Sequence, residues 1–227
     1  MIKVLLVDDS AIVRAMVSQV MENDGRFCLV GTAENGSKAI TQNEILKPDL
    51  IVMDIKMPIM DGIEASKRIL EKSHPAIIAY TTEDSADIAF KCLEAGALEV
   101  IKKPNLSLMS SEEIKKFCDR LAVIAEKHNA GQASSSKKMQ VKKSSVKTET
   151  ETERKKDGYD ILFIGASTGG PSAIQTVLKG LGKNFPLPIL VTQHIDAGFD
   201  LQFTKWLSAT TDLPVSLAEN GIRPMAG

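Results

Sequence analysis

Five short runs of apolar residues recur between residue 1 and about residue 128, and a stretch with helical periodicity follows each of them. The runs are compact and apolar throughout, which is typical of strands buried on both faces of a parallel sheet. Strict alternation of strand and helix therefore predicts a doubly wound α/β domain with five strands and five helices. The predicted strands are Lys3–Val7, Phe27–Gly31, Leu50–Met53, Ala76–Tyr80 and Leu98–Ile101.

Terminal signals mark two of the predicted helices. Ser10 is placed to cap the first helix, and Gly25 follows its last apolar residue. A serine accepts hydrogen bonds from first-turn N–H groups, and a glycine adopts the left-handed conformation in which many helices end. Ser110 and Glu113 have the spacing of a capping box, which predicts that the last helix begins directly after Ser110.

Composition excludes several classes of protein. Hydrophobic residues make up 43% of the chain, enough for a buried core, and the formal net charge of -1 indicates no nucleic-acid partner. The three cysteines lack metal-ligand spacing, which favours a reduced, cytoplasmic compartment. The apolar run at the N-terminus is too short for a signal peptide, and no run is long enough to cross a bilayer, so we expect no membrane insertion.

Residues 129–158 lose the periodic pattern and contain few apolar residues and no aromatic residue. Such a stretch cannot bury enough surface to offset its ordering entropy, which predicts a flexible linker. Its eight Lys/Arg against four Asp/Glu would also suit a basic arm that binds nucleic acid. The two signs are interspersed, and this favours a solvated linker between a first domain over residues 1–128 and a second unit over residues 159–227.

The second unit is predicted to be a βαβαβ segment of about seventy residues. A segment of this size rarely has a self-sufficient core, so we expect it to be the first part of a larger doubly wound α/β domain. The predicted elements are a strand within residues 159–167, a helix over Pro171–Leu181, a strand over Leu187–Thr192, a helix over Asp200–Leu207 and a third strand over Leu213–Leu217.

Charged and hydroxyl side chains follow four strands of the first domain. Asp8 and Asp9 come after the first strand, Asp54 after the third, Thr81 after the fourth and Lys103 after the fifth. Taken singly, each has a structural explanation, such as a solvated lysine. Together, at the sheet edge where α/β proteins bind ligands, they form a candidate site for Mg²⁺ and a phosphoryl group. A nucleophilic carboxylate, a metal, a hydroxyl and an ammonium are what phosphoryl transfer needs.

Four segments together resemble the motif set of bacterial receiver domains: VLLVDDS, IVMDIKMPIMDG, the strand that ends in Thr81, and EAGALEVIKKP. The resemblance covers residues 1 to about 125, and the combination is highly specific. It implies a flavodoxin-like (βα)5 receiver domain that accepts a phosphoryl group from a histidine kinase.

This resemblance also implies roles for individual residues. Asp54 is the phosphoacceptor, Thr81 and Lys103 engage the phosphoryl oxygens, and the Lys103–Pro104 peptide bond is cis. Many receivers carry an aromatic switch residue three positions before that lysine, whereas this chain has Val100. The implied Mg²⁺ ligands are Asp8 (largely through water), Asp9, Asp54 and the backbone carbonyl of Lys56.

The second unit contains a serine in a glycine-rich turn. Gly165-Ala-Ser167-Thr-Gly169 matches G-x-S-x-G between a predicted strand and helix, the context in which that motif forms a nucleophile elbow. The alternative is a structural turn, or one that binds phosphate. His194 follows the next strand and is a candidate general base. Residues 168–193 contain no Asp or Glu, which excludes the order Ser, acid, His with His194 as base.

GASTGGPSA and the strand ending in TQH resemble the catalytic domain of protein-glutamate methylesterases of bacterial chemotaxis, which also place a receiver first. The resemblance implies hydrolysis of methyl-glutamate esters on chemoreceptors and deamidation of receptor glutamines. It assigns Ser167 as nucleophile, His194 as base and Thr168 to the oxyanion site, without a cofactor for the esterase. It also implies a monomer whose receiver covers the serine until Asp54 is phosphorylated.

The resemblance is incomplete in one respect. In the family the triad aspartate lies in a later GMGxDG-like segment, and this sequence contains none. We therefore expect a chain that stops short of the whole catalytic domain. The alternative function is a phosphoaccepting regulator with an inactive esterase half. A DNA-binding regulator would need a helix-turn-helix after the linker, where a βαβ pattern stands instead.

Overall fold

The computed structural model describes residues 1–82, 85–137, 159–167, 169–193, 195 and 200–226. In the first domain five strands alternate with five α-helices, as predicted, and every strand agrees with its prediction to within two residues at each end. The elements are β1 (Ile2–Val7), α1 (Ala11–Asp24), β2 (Phe27–Ala33), α2 (Gly36–Leu46), β3 (Leu50–Asp54), α3 (Gly62–Lys72), β4 (Ala76–Thr81), α4 (Ala86–Glu94), β5 (Glu99–Lys102) and α5 (Ser111–Lys137).

The five strands form one parallel sheet in the order β2-β1-β3-β4-β5, which confirms the doubly wound, flavodoxin-like prediction. Both faces are covered. Val17 of α1 and Leu121 of α5 pack on one face, and Ala39 of α2 and Ile69 of α3 pack on the other. The strand order reverses between β1 and β3, so their carboxyl ends border the crevice in which such sheets bind ligands.

The predicted helix-terminal signals are confirmed. The Ser10 hydroxyl accepts a hydrogen bond from the Val13 N–H at 3.4 Å, and Gly25 ends α1 with a φ of 73°. Ser110 and Glu113 bond reciprocally: the Ser110 N–H donates to Glu113 Oε2 at 2.8 Å, and the Glu113 N–H donates to Ser110 Oγ at 3.3 Å. The two residues thereby satisfy N–H groups that have no partner within the helix.

The last helix of the first domain extends into the predicted linker. α5 continues past residue 128 to Lys137, so residues 129–137 are helical. Once a helix is nucleated and packed, each further residue adds a backbone hydrogen bond at small cost, and apolar periodicity is not required. Residues 138–158 of the predicted linker lie outside the described residues.

The second unit consists of two parallel strands and two helices in the part that the structure describes. The side chains of Ile164 and Val191 pack beneath the helices, while Phe163, one position along, is 63% exposed on the opposite face of the sheet. One face of this sheet is therefore covered and the other is open. The elements are β6 (Leu162–Ala166), α6 (Gly170–Leu181), β7 (Ile189–Gln193) and α7 (Asp200–Thr210).

The third strand predicted over Leu213–Leu217 does not form. Its alternating pattern is suitable for a strand, but a strand also needs a neighbour to pair with. Val215 instead bonds to Ser208 of α7. The Val215 N–H donates to Ser208 Oγ at 2.9 Å, and the Ser208 hydroxyl donates to the Val215 carbonyl oxygen at 3.0 Å. The described part of this unit is therefore βαβα rather than βαβαβ.

An aromatic cluster joins the two halves of the chain. Phe90 of α4 stacks against Trp206 of α7 with ring centroids 5.4 Å apart, and Phe203 completes the stack. The Trp206 Nε1–H donates to Glu94 Oε1 at 3.2 Å. Ile174 of α6 packs into the same cluster, so α4 contacts both helices of the second unit.

No helix in the described parts of the chain combines the length and the apolar character that crossing a membrane requires.

Candidate phosphoacceptor and esterase sites

Three carboxylates meet where β1 and β3 end. Asp8 is fully buried, Asp54 is nearly so, and Asp9 is exposed. The Ser10 N–H donates to Asp8 Oδ1 at 2.9 Å, which orients that carboxylate, and the Arg14 guanidinium donates to the Asp8 backbone oxygen at 2.6 Å. The predicted convergence of the carboxylates is confirmed.

The carboxylate cluster has the donor set of a divalent-cation site. One oxygen from each of Asp8, Asp9 and Asp54 lies within 4.8 Å of the other two. Hard oxygen ligands around a site that is open on one side suit Mg²⁺, which keeps several waters when it binds. Lys56 lies two residues beyond Asp54 with its side chain exposed. The participation of its backbone carbonyl stays a prediction.

Lys103 bridges the two buried carboxylates. Its Nζ lies 2.7 Å from Asp8 Oδ2 and 2.8 Å from Asp54 Oδ2. Burial alone would lower the pKa of Lys103, but the hydrogen bonds to Asp54 and Asp8 outweigh it, and the pKa lies above its ordinary value. Burial raises the pKa of the Asp54 carboxyl, although Lys103 acts in the opposite direction. The ammonium therefore neutralises much of the repulsion between the two carboxylates.

Thr81 lies at the same edge of the sheet. It is buried as the last residue of β4, and its carbonyl oxygen accepts a hydrogen bond from the Lys103 N–H at 2.7 Å. This bond ties the end of β4 to the start of the loop that carries the lysine. The Lys103–Pro104 peptide bond is trans, so the implied cis bond is wrong. The trans isomer is the intrinsically preferred one for a bond before proline.

An aromatic residue that was not predicted from the sequence lies beside this site. Tyr80 is buried in β4, directly opposite Asp54 in the strand register, and the Lys103 Nζ lies 5.6 Å from the centre of its ring. A cation over a ring face is stabilised by the ring quadrupole. The position of Tyr80 in the sequence could have indicated this contact, because Tyr80 immediately precedes Thr81 at the end of β4. Val100 lies in a different environment, partly buried between the sheet core and the aromatic cluster.

The serine turn has the geometry of a strand-to-helix elbow. Ser167 follows the last residue of β6, and the Gly170 N–H at the start of α6 donates to the Ser167 carbonyl oxygen at 2.7 Å. Gly169 has a φ of 72°, a left-handed conformation that glycine adopts without strain. Pro171 lies in the first turn of α6, as predicted. Ser167 is exposed, so the implied cover by the receiver is not found at the serine itself.

Two predicted esterase residues, His194 and Thr168, lie outside the described residues. Their immediate neighbours are described. Gln193, the last residue of β7, donates from Nε2 to the Ser167 carbonyl oxygen at 2.9 Å, so the end of β7 lies beside the serine turn. In the sequence Gln193 stands out only as part of the TQH motif, and this contact was not predicted.

Comparison with known proteins identifies both halves. The family model for the response regulator receiver domain matches residues 4–114, and the CheB methylesterase model matches residues 162–227. Protein-glutamate methylesterase/protein-glutamine glutaminase 1 of Syntrophus aciditrophicus is 35% identical over 99% of this chain and 65% of its own length. The corresponding protein of Halalkalibacterium halodurans is 38% identical over 98% of this chain and 64% of its own. The chain belongs to the CheB methylesterase family.

A solved structure of a CheB receiver supports the same assignment. The response regulator domain of Thermotoga maritima CheB superposes with a TM-score of 0.50 and 33% identity, covering 56% of this chain and 97% of that domain. The present chain spans about two thirds of the length of the CheB relatives named above, 65% and 64%. Receiver domains in general use Mg²⁺ for phosphorylation, and the three-carboxylate cluster described here fits that ion.

Proposed function

We propose that the whole protein is a phosphorylation-controlled protein-glutamate methylesterase that demethylates chemoreceptors and deamidates receptor glutamines. One observation carries the proposal: a G-x-S-x-G turn stands in the same chain as the carboxylate cluster of the receiver, and α4 of the receiver packs on the helix that follows this turn. The proposed partners are a chemotaxis histidine kinase as phosphodonor and methylated chemoreceptors as substrate. The protein is proposed to act as a monomer.

The receiver residues are proposed to carry out phosphoryl transfer. A carboxylate oxygen of Asp54 attacks phosphorus, and the bond between phosphorus and the donor nitrogen of the kinase histidine breaks. Asp9, Asp54, the Lys56 carbonyl and, largely through water, Asp8 would hold Mg²⁺, which would neutralise charge on the phosphoryl oxygens. The Thr81 hydroxyl and the Lys103 ammonium bind those oxygens after transfer.

Lys103 is proposed to change partners when Asp54 is phosphorylated. Its ammonium is shared between Asp8 and Asp54 at 2.7 and 2.8 Å. A phosphoryl group on Asp54 carries more negative charge than the carboxylate and presents oxygens farther from the sheet. The ammonium therefore moves toward it, and the position of the β5 end changes with it.

Ser167 is proposed as the nucleophile of the esterase. Its Oγ attacks the methyl-ester carbonyl carbon while His194 accepts the hydroxyl proton. Thr168 and the N-terminal N–H groups of α6 stabilise the resulting oxyanion. The methoxide leaves with the proton from His194 as methanol. Water then hydrolyses the acyl-enzyme, which gives the glutamate side chain of the receptor and regenerates the Ser167 hydroxyl. Receptor glutamine reacts in the same way and releases ammonia.

Control by the receiver is proposed to act through α6. Ser167 is exposed, whereas Ile174 and Leu178 of α6 pack against Phe90 and Leu93 of α4. The N-terminus of α6 also forms the serine turn. A displacement of α4 after phosphorylation would therefore reach Ser167 through a single rigid helix.

The test is methanol release from methylated receptor membranes, with and without acetyl phosphate as phosphodonor. Phosphodonor-dependent release by the wild-type protein is expected. Asp54→Asn is expected to remove the dependence on phosphodonor, and Ser167→Ala to abolish release. If no methanol is released while Asp54 still takes up phosphate, the chain is a phosphoaccepting regulator without esterase activity, and the proposal fails.

A further inference from the structure

The backbone carbonyl of Ser167 is held by two hydrogen bonds from opposite sides. The Gly170 N–H donates to it at 2.7 Å and closes the turn from the side of α6. The Gln193 side-chain Nε2–H donates to it at 2.9 Å from the end of β7. The two donors lie on different elements, so the orientation of the Ser167 peptide is fixed relative to both the helix and the neighbouring strand.

The Gln193 carboxamide is packed tightly against the start of α6. Gly170 is buried, and a Cβ built on it would overlap Oε1 and Cδ of Gln193. The absence of a side chain at Gly170 therefore makes room for the carboxamide. The space beside Gly170 is occupied by the amide group of Gln193, and not only by the methylene groups of that side chain.

The contact links the two elements that carry the proposed chemistry. Ser167 follows β6, and His194 is the residue directly after Gln193 along the chain. β6 and β7 pair in parallel register up to Ala166 and Gln193. The hydrogen bond from Gln193 to the Ser167 carbonyl oxygen extends the connection between β6 and β7 by one residue beyond their paired segment.

We infer that Gln193 is a positioning residue for the nucleophile: its side-chain amide donor holds the serine turn of Ser167 against the end of β7 for attack on the ester. The inference rests on the proposed esterase function. Gln193 acts through the Ser167 backbone and does not itself contact the substrate.

Two substitutions separate the hydrogen bond from side-chain packing. Gln193→Glu keeps the size and replaces the amide donor by a carboxyl group. When ionised, that group has no proton to donate and repels the carbonyl oxygen; when protonated, it donates in place of the amide. Gln193→Leu removes the donor at every pH. A role in packing alone would give neither variant a pH-dependent deficit.

The experiment measures the rate at which Ser167 in the full chain is labelled by a fluorophosphonate probe, from about pH 8 down to about pH 5. Serine Oγ attacks phosphorus, fluoride leaves, and the hydroxyl proton passes to the base. Each variant rate is divided by the wild-type rate at the same pH, so that the pH dependence due to the base, which both chains share, cancels. Ser167→Ala controls for labelling at other sites, and Gln175→Glu on α6 is the matched control for the same chemical change.

Gln193→Glu is expected to label about tenfold more slowly than wild type at pH 8, the loss of one hydrogen bond plus repulsion, and to approach the wild-type rate as the carboxyl is protonated. Gln193→Leu is expected to be slower by a constant factor of about three to ten. A ratio near one at pH 8, or a Gln193→Glu ratio that does not change with pH, overturns the inference alone. No labelling of the wild-type chain overturns the proposed function and the inference with it.

Discussion

Gly62 lies so close to Asp54, the proposed phosphoacceptor, that any side chain on it would displace Asp54. A Cβ built on Gly62 would overlap the backbone carbonyl oxygen and carbon of Asp54. The Gly62 N–H also donates to the Ile55 carbonyl oxygen at 2.9 Å, which fixes the start of α3 against the end of β3. The glycine of the MDG sequence is therefore required by a close backbone approach.

Gly62→Ala is expected to lower the free energy of unfolding by about 1–3 kcal/mol, because the neighbouring group is backbone and cannot rotate away. It is also expected to slow phosphorylation of Asp54 by acetyl phosphate several-fold. Urea denaturation and incorporation of phosphate measure the two effects.

Gly180→Ala is the matched control for that substitution. Gly180 lies in α6, and a Cβ built on it meets no atom within 4 Å. Alanine there is expected to stabilise the chain by about 0.5–1 kcal/mol. Equal effects of the two substitutions would contradict the steric role of Gly62.

At the scale of elements, the start of α5 depends on two side chains. Ser110 and Glu113 exchange hydrogen bonds with each other's backbone N–H groups, and the Ser110 hydroxyl also donates to Glu113 Oε2 at 2.7 Å. The bonds to the Ser110 backbone and side chain lower the pKa of Glu113. The capping box then presents Phe117 and Leu121 to the sheet.

Ser110→Ala is expected to lower the free energy of unfolding by about 1 kcal/mol, measured by urea denaturation at neutral pH. Because the pKa of Glu113 is lower in the folded than in the unfolded chain, its contribution is present above the unfolded pKa and is lost as pH falls through the folded one. The difference between wild type and Ser110→Ala should therefore shrink on acidification. A difference that does not change down to about pH 3 would contradict the reciprocal bonds.

Elements with local signals could be predicted, and those that depend on distant partners could not. The five receiver strands, the Ser10 and Ser110 caps and the G-x-S-x-G turn all have signals within a few residues. The strand predicted over Leu213–Leu217 failed because its pattern gives no information about a pairing partner. The site contacts of Tyr80 and Gln193 depend on strand register, which brings them beside Asp54 and Ser167.

At the scale of the molecule, Trp206 reports on the contact between the halves. It is the single tryptophan of the chain, it is buried, and it stacks on Phe90 of the receiver. Its indole N–H donates to Glu94, also of the receiver. Tryptophan emission moves to longer wavelength when water reaches the ring, so its spectrum follows this one interface.

Phe90→Ala is expected to shift the Trp206 emission maximum to longer wavelength and to destabilise the packed arrangement by about 3 kcal/mol, because it opens a cavity beside the indole. Phe163→Ala is the matched control, since Phe163 is 63% exposed on the open face of the β6–β7 sheet. Fluorescence of the full chain measures both variants. Identical spectra for wild type and Phe90→Ala would show that the halves do not stack in solution.

The uninterrupted length of α5 has a mechanical consequence. Among the side chains that the structure describes, Ala125 is the last that α5 buries against the sheet, and His128 Nε2 lies 2.8 Å from the His74 carbonyl oxygen. Nine further residues continue as helix to Lys137, an arm of about 14 Å. A helix of this length is stiff, so a tilt of about 5° at the anchored end moves the far end by about 1.2 Å. Movements at the sheet that are smaller than a bond length are therefore amplified, as by a lever, where the chain leaves the helix.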